Sequence, residues 1–107
     1  MNWYVVKLVF RITAGEERTA GQFDEHLRLI QAESLEQAYV KARLLGIREE
    51  SPLEDSGATN REFVNIAGLR PLRELCDGTE VYSRIHEVSV PGDYVQWIHQ
   101  QAATLVN

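Results

Sequence analysis

The side chains able to do chemistry are few and scattered. His26, His86, His99 and Cys76 are the histidine and cysteine ligands the chain offers. None stands in the short Cys-x-x-Cys or His-x-x-x-His spacing by which zinc sites announce themselves. Pairing of two strands could bring His26 and His86 together, but two solvated strand histidines are the simpler reading. Cys76 precedes Asp77, and an acidic neighbour disfavours the thiolate that nucleophilic or redox chemistry needs. A semi-buried structural thiol is expected there. No Gly-x-Ser-x-Gly elbow presents a serine, and the seven glycines form no phosphate cradle. The carboxylate pairs Glu16-Glu17, Glu49-Glu50 and Glu54-Asp55 fall in turn or helix-end settings, where adjacent charges are solvated rather than set across a cleft. The sequence thus predicts no catalytic residue, no metal and no cofactor.

Alternation and spacing give the elements that would position any site. Tyr4, Val6, Leu8, Phe10 and Ile12 share one face of a strand from Trp3 to Thr13; Trp3, Val5, Lys7, Val9 and Arg11 share the other. After a turn-prone break at Ala14–Glu17, a second strand runs from Gln22 to Ala32. Phe23, Leu27 and Leu29 lie on one side of it, and Asp24, His26 and Arg28 on the other. Ser34 and Gln37 have capping-box spacing, and Leu35, Ala38, Tyr39, Ala42 and Leu45 form the apolar stripe of a helix. That helix ends at Gly46 or continues until Pro52 forbids it. Ser51–Asn60 reads as a polar connector, the segment most expected to move.

A third strand is predicted over Arg61–Leu69, with a break or bulge at Pro71 on an edge. Asp77-Gly78 signals a hairpin turn into a fourth strand, Thr79–Val88. Asp93 and Gln96 repeat the cap spacing ahead of a last helix bearing Tyr94, Trp97, Ile98, Ala102 and Leu105. The order is ββαββα. The simplest architecture is one α+β domain over residues 1–107: a four-stranded antiparallel sheet with two helices packed on one face.

These residues also resemble a known family. Trp3, Val6 and Leu8, Ala38 and Ala42, Phe63-Val64-Asn65-Ile66, and above all Asp77-Gly78-Thr79-Glu80-Val81-Tyr82-Ser83-Arg84 look like domain of unknown function 4288. The likeness spans roughly residues 3 to 86 and leaves the last helix outside. It implies small, stand-alone bacterial proteins and supplies no activity, cofactor or catalytic residue.

Composition narrows the partners. Eleven Lys and Arg against sixteen Asp and Glu leave a net charge of −5, so no overall field draws the chain to nucleic acid. A basic protein partner, of the kind a toxin-masking protein must cover, suits that charge. One cysteine allows no internal disulfide and fits a reducing cytosol. Lys7 and Arg11 interrupt the leader-like start, and no apolar run is long enough to span a membrane. A cytoplasmic protein is expected.

Two surfaces are candidates for binding. The open sheet face would gather His26, Arg28, Glu80, Tyr82, Arg84 and His86, joined by Lys7 and Arg11. Tyr and Arg dominate protein-binding hot spots, although a solvated face with cross-strand ion pairs has the same composition. The last helix offers Tyr94, Trp97, Ile98 and Leu105, either as core or as the interface of a homodimer. The expected function is a non-enzymatic protein-binding module. The alternative is a small-ligand regulator or enzyme with a pocket between helices and sheet.

Overall fold

Strict alternation in the first thirteen residues builds the middle of a sheet. The computed structural model describes residues 1–13, 21–52 and 60–106. Strands β1 (Asn2–Thr13) and β2 (Gln22–Ala32) precede helix α1 (Leu35–Arg48). A two-residue β3 (Ser51–Pro52), β4 (Asn60–Leu72) and helix α2 (Pro91–Ala103) complete the order. The sheet order is β2-β1-β4-β3, with each neighbouring pair antiparallel. The break at Ala14–Glu17 and most of the Ser51–Asn60 connector lie outside the described residues. Among the described residues, no helix is long and apolar enough to cross a membrane.

β1 pairs with β2 without interruption from Asn2↔Ala32 to Ile12↔Gln22. Its even-numbered face carries the core: Tyr4, Val6, Leu8 and Phe10 are buried with Ile30 and Ala32 of β2 and Ala38 and Ala42 of α1. On its other side β1 pairs with β4, whose register slips twice, between Lys7 and Leu8 and between Val9 and Phe10. Each slip leaves one β4 residue, Ala67 and then Val64, opposite no partner. Such bulges add a residue to one strand, so Phe63, Ile66 and Leu69 recur every third position yet all pack on the core. The strand runs through Pro71 to Leu72, beyond its expected end at Leu69. Pro71 does not break pairing with β1; there β4 has no further described strand on its other side.

The cap spacing is realised. The Gln37 N–H donates to Ser34 Oγ at 3.1 Å, and Gln37 Oε1 accepts from the Glu33 N–H at 2.6 Å. α1 continues past Gly46 to Arg48. Its contact with the sheet is narrower than the expected stripe: Ala38, Ala42 and Gly46, four residues apart, are buried, while Leu35 and Tyr39 are exposed at the margin. Small side chains let the helix axis approach the strands closely. Gly46 shows how closely, because a Cβ there would clash with the Phe63 ring.

Two expectations are corrected. Thr79–Val88 is not a fourth strand. The turn is present, with the Thr79 N–H donating to the Cys76 carbonyl at 3.1 Å and Gly78 at φ 86°, as position i+2 of a type II turn requires. The chain beyond the turn joins no ladder. The end of β4 beside the turn carries Pro71, which has no N–H to give a returning strand. Nor do both helices pack on one sheet face. α1 covers the sheet, whereas no residue of α2 is buried. Val90 is the α2 N-cap without a side-chain hydrogen bond, and Pro91 opens the helix. Proline suits that first position because the N–H it lacks has no partner there in any case. Asp93 therefore lies in the first turn rather than at the cap.

Gly46→Ala tests the close approach. Alanine favours the helix by up to about 1 kcal/mol, but overpacking a core costs about 1–3 kcal/mol. With Phe63 backed by Phe10 at 5.6 Å between ring centroids, the second effect prevails. The expected result in urea denaturation is a net loss of about 1–2 kcal/mol; a gain would show that the ring yields freely.

Candidate functional site

Parity along β1 decides where each polar residue of β2 goes. Leu8 and Val6 face the core, and they pair with His26 and Arg28. His26 and Arg28 therefore lie on the side covered by α1, not on the open face. There they join a belt of charge that closes one end of the core. Asp24 Oδ2 lies 2.9 Å from His26 Nε2 and 2.9 Å from an Arg61 guanidinium nitrogen. Arg28 hydrogen-bonds to Glu49, the C-cap of α1. The His26 ring and the Arg61 guanidinium lie 5.1 and 5.4 Å from the Phe10 ring centre. Glu50 accepts the Phe63 N–H at 2.9 Å, satisfying a donor on the β4 edge. Apart from Arg61 Nε, buried without a partner among the described residues, each group is engaged by its neighbours, so the belt reads as a seal around Phe10.

The open face is consequently more apolar than expected. Phe23, Leu27 and Leu29 of the edge strand β2 point outward at 57%, 52% and 47% exposure, with Trp3 of β1 beside them. Lys7 pairs with Glu25 across this face at 2.6 Å. Tyr82 belongs to no strand, but its side chain reaches this face. Its ring lies 5.6 Å from Lys7 Nζ and 5.3 Å from the Arg70 guanidinium, and Arg70 also donates to the Ser83 carbonyl at 3.2 Å. The segment after the Gly78 turn thus returns over the open face, held by side chains instead of a ladder.

The other expected site residues stay apart. Glu80 borders a groove of about 460 Å³ with Arg70, Pro71, Arg73, Glu74 and Thr79. Arg84 is exposed on the same segment. His86 does not approach His26; it meets Tyr94 at the root of α2, with the rings edge-on at 5.5 Å. Cys76 is exposed rather than semi-buried, 3.0 Å from Thr79 Oγ1. Among the described residues, no three His, Cys, Asp or Glu side chains gather as a metal site would require. Tyr94, Trp97, Ile98 and Leu105 are all exposed.

Sequence reasoning missed Phe23, Leu27 and Leu29 as the outward surface. The apolar residues of β2 change parity between Leu29 and Ile30, and only the pairing with β1 says which parity faces in. The signal was the even face of β1 itself, carried across the hairpin.

A family model described as a domain of unknown function (DUF4288) matches residues 3–83. No curated protein and no solved structure matches the chain.

The belt generates a pH prediction. The hydrogen bond and the positive charge of Arg28 hold the Glu49 carboxyl below its ordinary 4.5. A carboxyl lowered in the folded state adds stability that is fully present above its unfolded value and lost as pH falls through the folded one. Glu49→Gln should therefore be less stable than the parent near neutral pH, and the difference should close as pH falls below 4.5. Denaturant midpoints at several pH values check this; a gap of constant size would mean that the Arg28 pair contributes nothing.

Proposed function

We propose, from the starting point that this chain belongs to the DUF4288 family, that it is a non-enzymatic protein-binding module. Its contact surface is the outward face of β2. The observation that carries this reading is the row Phe23, Leu27 and Leu29, each about half exposed on an edge strand. Burying a large apolar side chain fully contributes about 1.5–3 kcal/mol, so the exposed halves of three such residues offer a partner a few kcal/mol. Trp3 extends the row. The Lys7–Glu25 pair and Tyr82 supply the polar rim that protein interfaces show. The net charge of −5 favours a basic protein over nucleic acid, and toxin masking is one role of that chemistry.

A second reading has one observation behind it. The groove of about 460 Å³ beside Arg70 and Arg73 falls in the size range of small-molecule sites. Arg70 is already committed to Tyr82 and Ser83, which weakens its claim as a ligand anchor and leaves protein binding the better supported role.

A photo-crosslinking residue at Leu27 tests the proposal in cells that make the protein. The expected outcome is a discrete protein adduct absent when the same label replaces the exposed Arg48. The purified adduct partner should then bind the parent at least 100-fold more tightly than the Phe23→Asp, Leu27→Asp variant. Equal labelling from both positions would overturn the assignment of this face.

A further inference from the structure

We propose that the chain forms a two-fold dimer by exchanging its last helices, α2 of each copy lying in the apolar groove between α1 and β4 of the other. The inference uses a different surface from the β2 row and goes beyond the binding role assigned to it.

The exposed area calls for a partner. The chain exposes 8492 Å², whereas a folded monomer of this mass exposes roughly 6,100 Å². The surplus is therefore roughly 2,400 Å² per chain. A standard complex buries about 800 Å² per partner, and obligate homodimers about 1,000–2,500 Å². One reciprocal contact of the obligate kind accounts for the surplus. The radius of gyration agrees: 17.3 Å, against about 13 Å for a compact chain of this length. Every described residue from Arg73 onward except Thr79 is exposed.

Groove and helix match in chemistry. Beside α1, a groove of about 350 Å³ is lined by Leu35, Tyr39, Val40 and Leu69, with Glu36 as its one charged residue. It exists because Ala38, Ala42 and Gly46 of α1 are buried against the sheet, with Leu45 packed there in part, leaving Leu35, Tyr39 and Val40 at the margin. α2 presents Tyr94, Trp97 and Ile98 at three- and four-residue steps, with Asp93 its single carboxylate. An amphipathic helix in an apolar groove is a recurrent recognition mode.

The path of the chain selects a second copy over the same chain. Tyr82 is fixed on the open face by Lys7 and Arg70, whereas the groove lies on the side that α1 covers. The chain leading to each α2 is thus anchored, at Tyr82, on the face opposite its own groove. A two-fold axis turns two such paths into one closed, self-complementary contact.

Sedimentation and light scattering at micromolar concentration should find a species of twice the 12.2 kDa chain mass. Trp97→Asp with Ile98→Asp should weaken association at least 100-fold and leave the sheet and α1 signals of the circular dichroism spectrum in place. Position is read in a Cys76→Ser background. Mixed single variants Val40→Cys and Ile98→Cys should form a disulfide-linked pair on oxidation. A 12.2 kDa species at every concentration would overturn the proposal, as would a dimer indifferent to the Trp97 and Ile98 changes. An intrachain disulfide in the Val40→Cys, Ile98→Cys double variant, formed in dilute solution, would do the same by placing α2 on its own groove. None of these results alters the Leu27 labelling outcome, so the two readings fail separately.

Discussion

β1 is paired along nearly its whole length on both sides, and its even-numbered face is buried almost without remainder. Everything else is arranged around that face. Because paired residues of neighbouring strands share a side, Tyr4, Val6, Leu8 and Phe10 dictate which half of β2 and which third of β4 point inward. They also dictate how a helix can cover them. Large side chains on the strands leave room for small ones along the centre of the helix, and α1 answers with Ala38, Ala42 and Gly46, with Leu45 partly buried beside them. The unused larger residues of α1 then remain at the margin, and the groove there results from the tight central contact.

The same geometry explains a charged belt on the inward side. A helix of 14 residues is about 21 Å long and ends where Arg28 and Phe63 begin. Beyond its C-cap the inward face of β2 has no helix above it, and Asp24, His26 and Arg28 occupy that stretch. Partly exposed ion pairs contribute about 0–1 kcal/mol each, so the belt matters more for position than for stability. It ties the end of α1 to β2 through Glu49, and β4 to β2 through Arg61 and Asp24.

Much of the body was legible in the sequence because its signals are local. The alternation of β1, the extent of β2 and the Ser34–Gln37 cap each depend on neighbours a few residues away, and all three are realised. What failed depended on distant partners. The outward direction of Leu27 and Leu29 is set by pairing with β1, which their own run does not encode. Phe63, Ile66 and Leu69 obey a period of three only because two bulges intervene. Thr79–Val88 has the residue types of a strand, but a strand also needs an edge with donors to meet it. Here Pro71 and the Arg70–Tyr82 contact send the chain over the open face instead. The last helix carried the signature of a core element, and its signature is equally that of a helix waiting for a surface.

The chain's own ladder ends at Leu72, and β1, not a four-stranded array closed by Thr79–Val88, carries the fold. Native-state amide hydrogen exchange tests this claim residue by residue. The slowest exchange is expected at Tyr4–Phe10 and their β2 and β4 partners, set by global unfolding, with Thr79–Val88 exchanging orders of magnitude faster. Protection of Thr79–Val88 equal to that of β1 would contradict the claim, because those amides would then belong to the sheet.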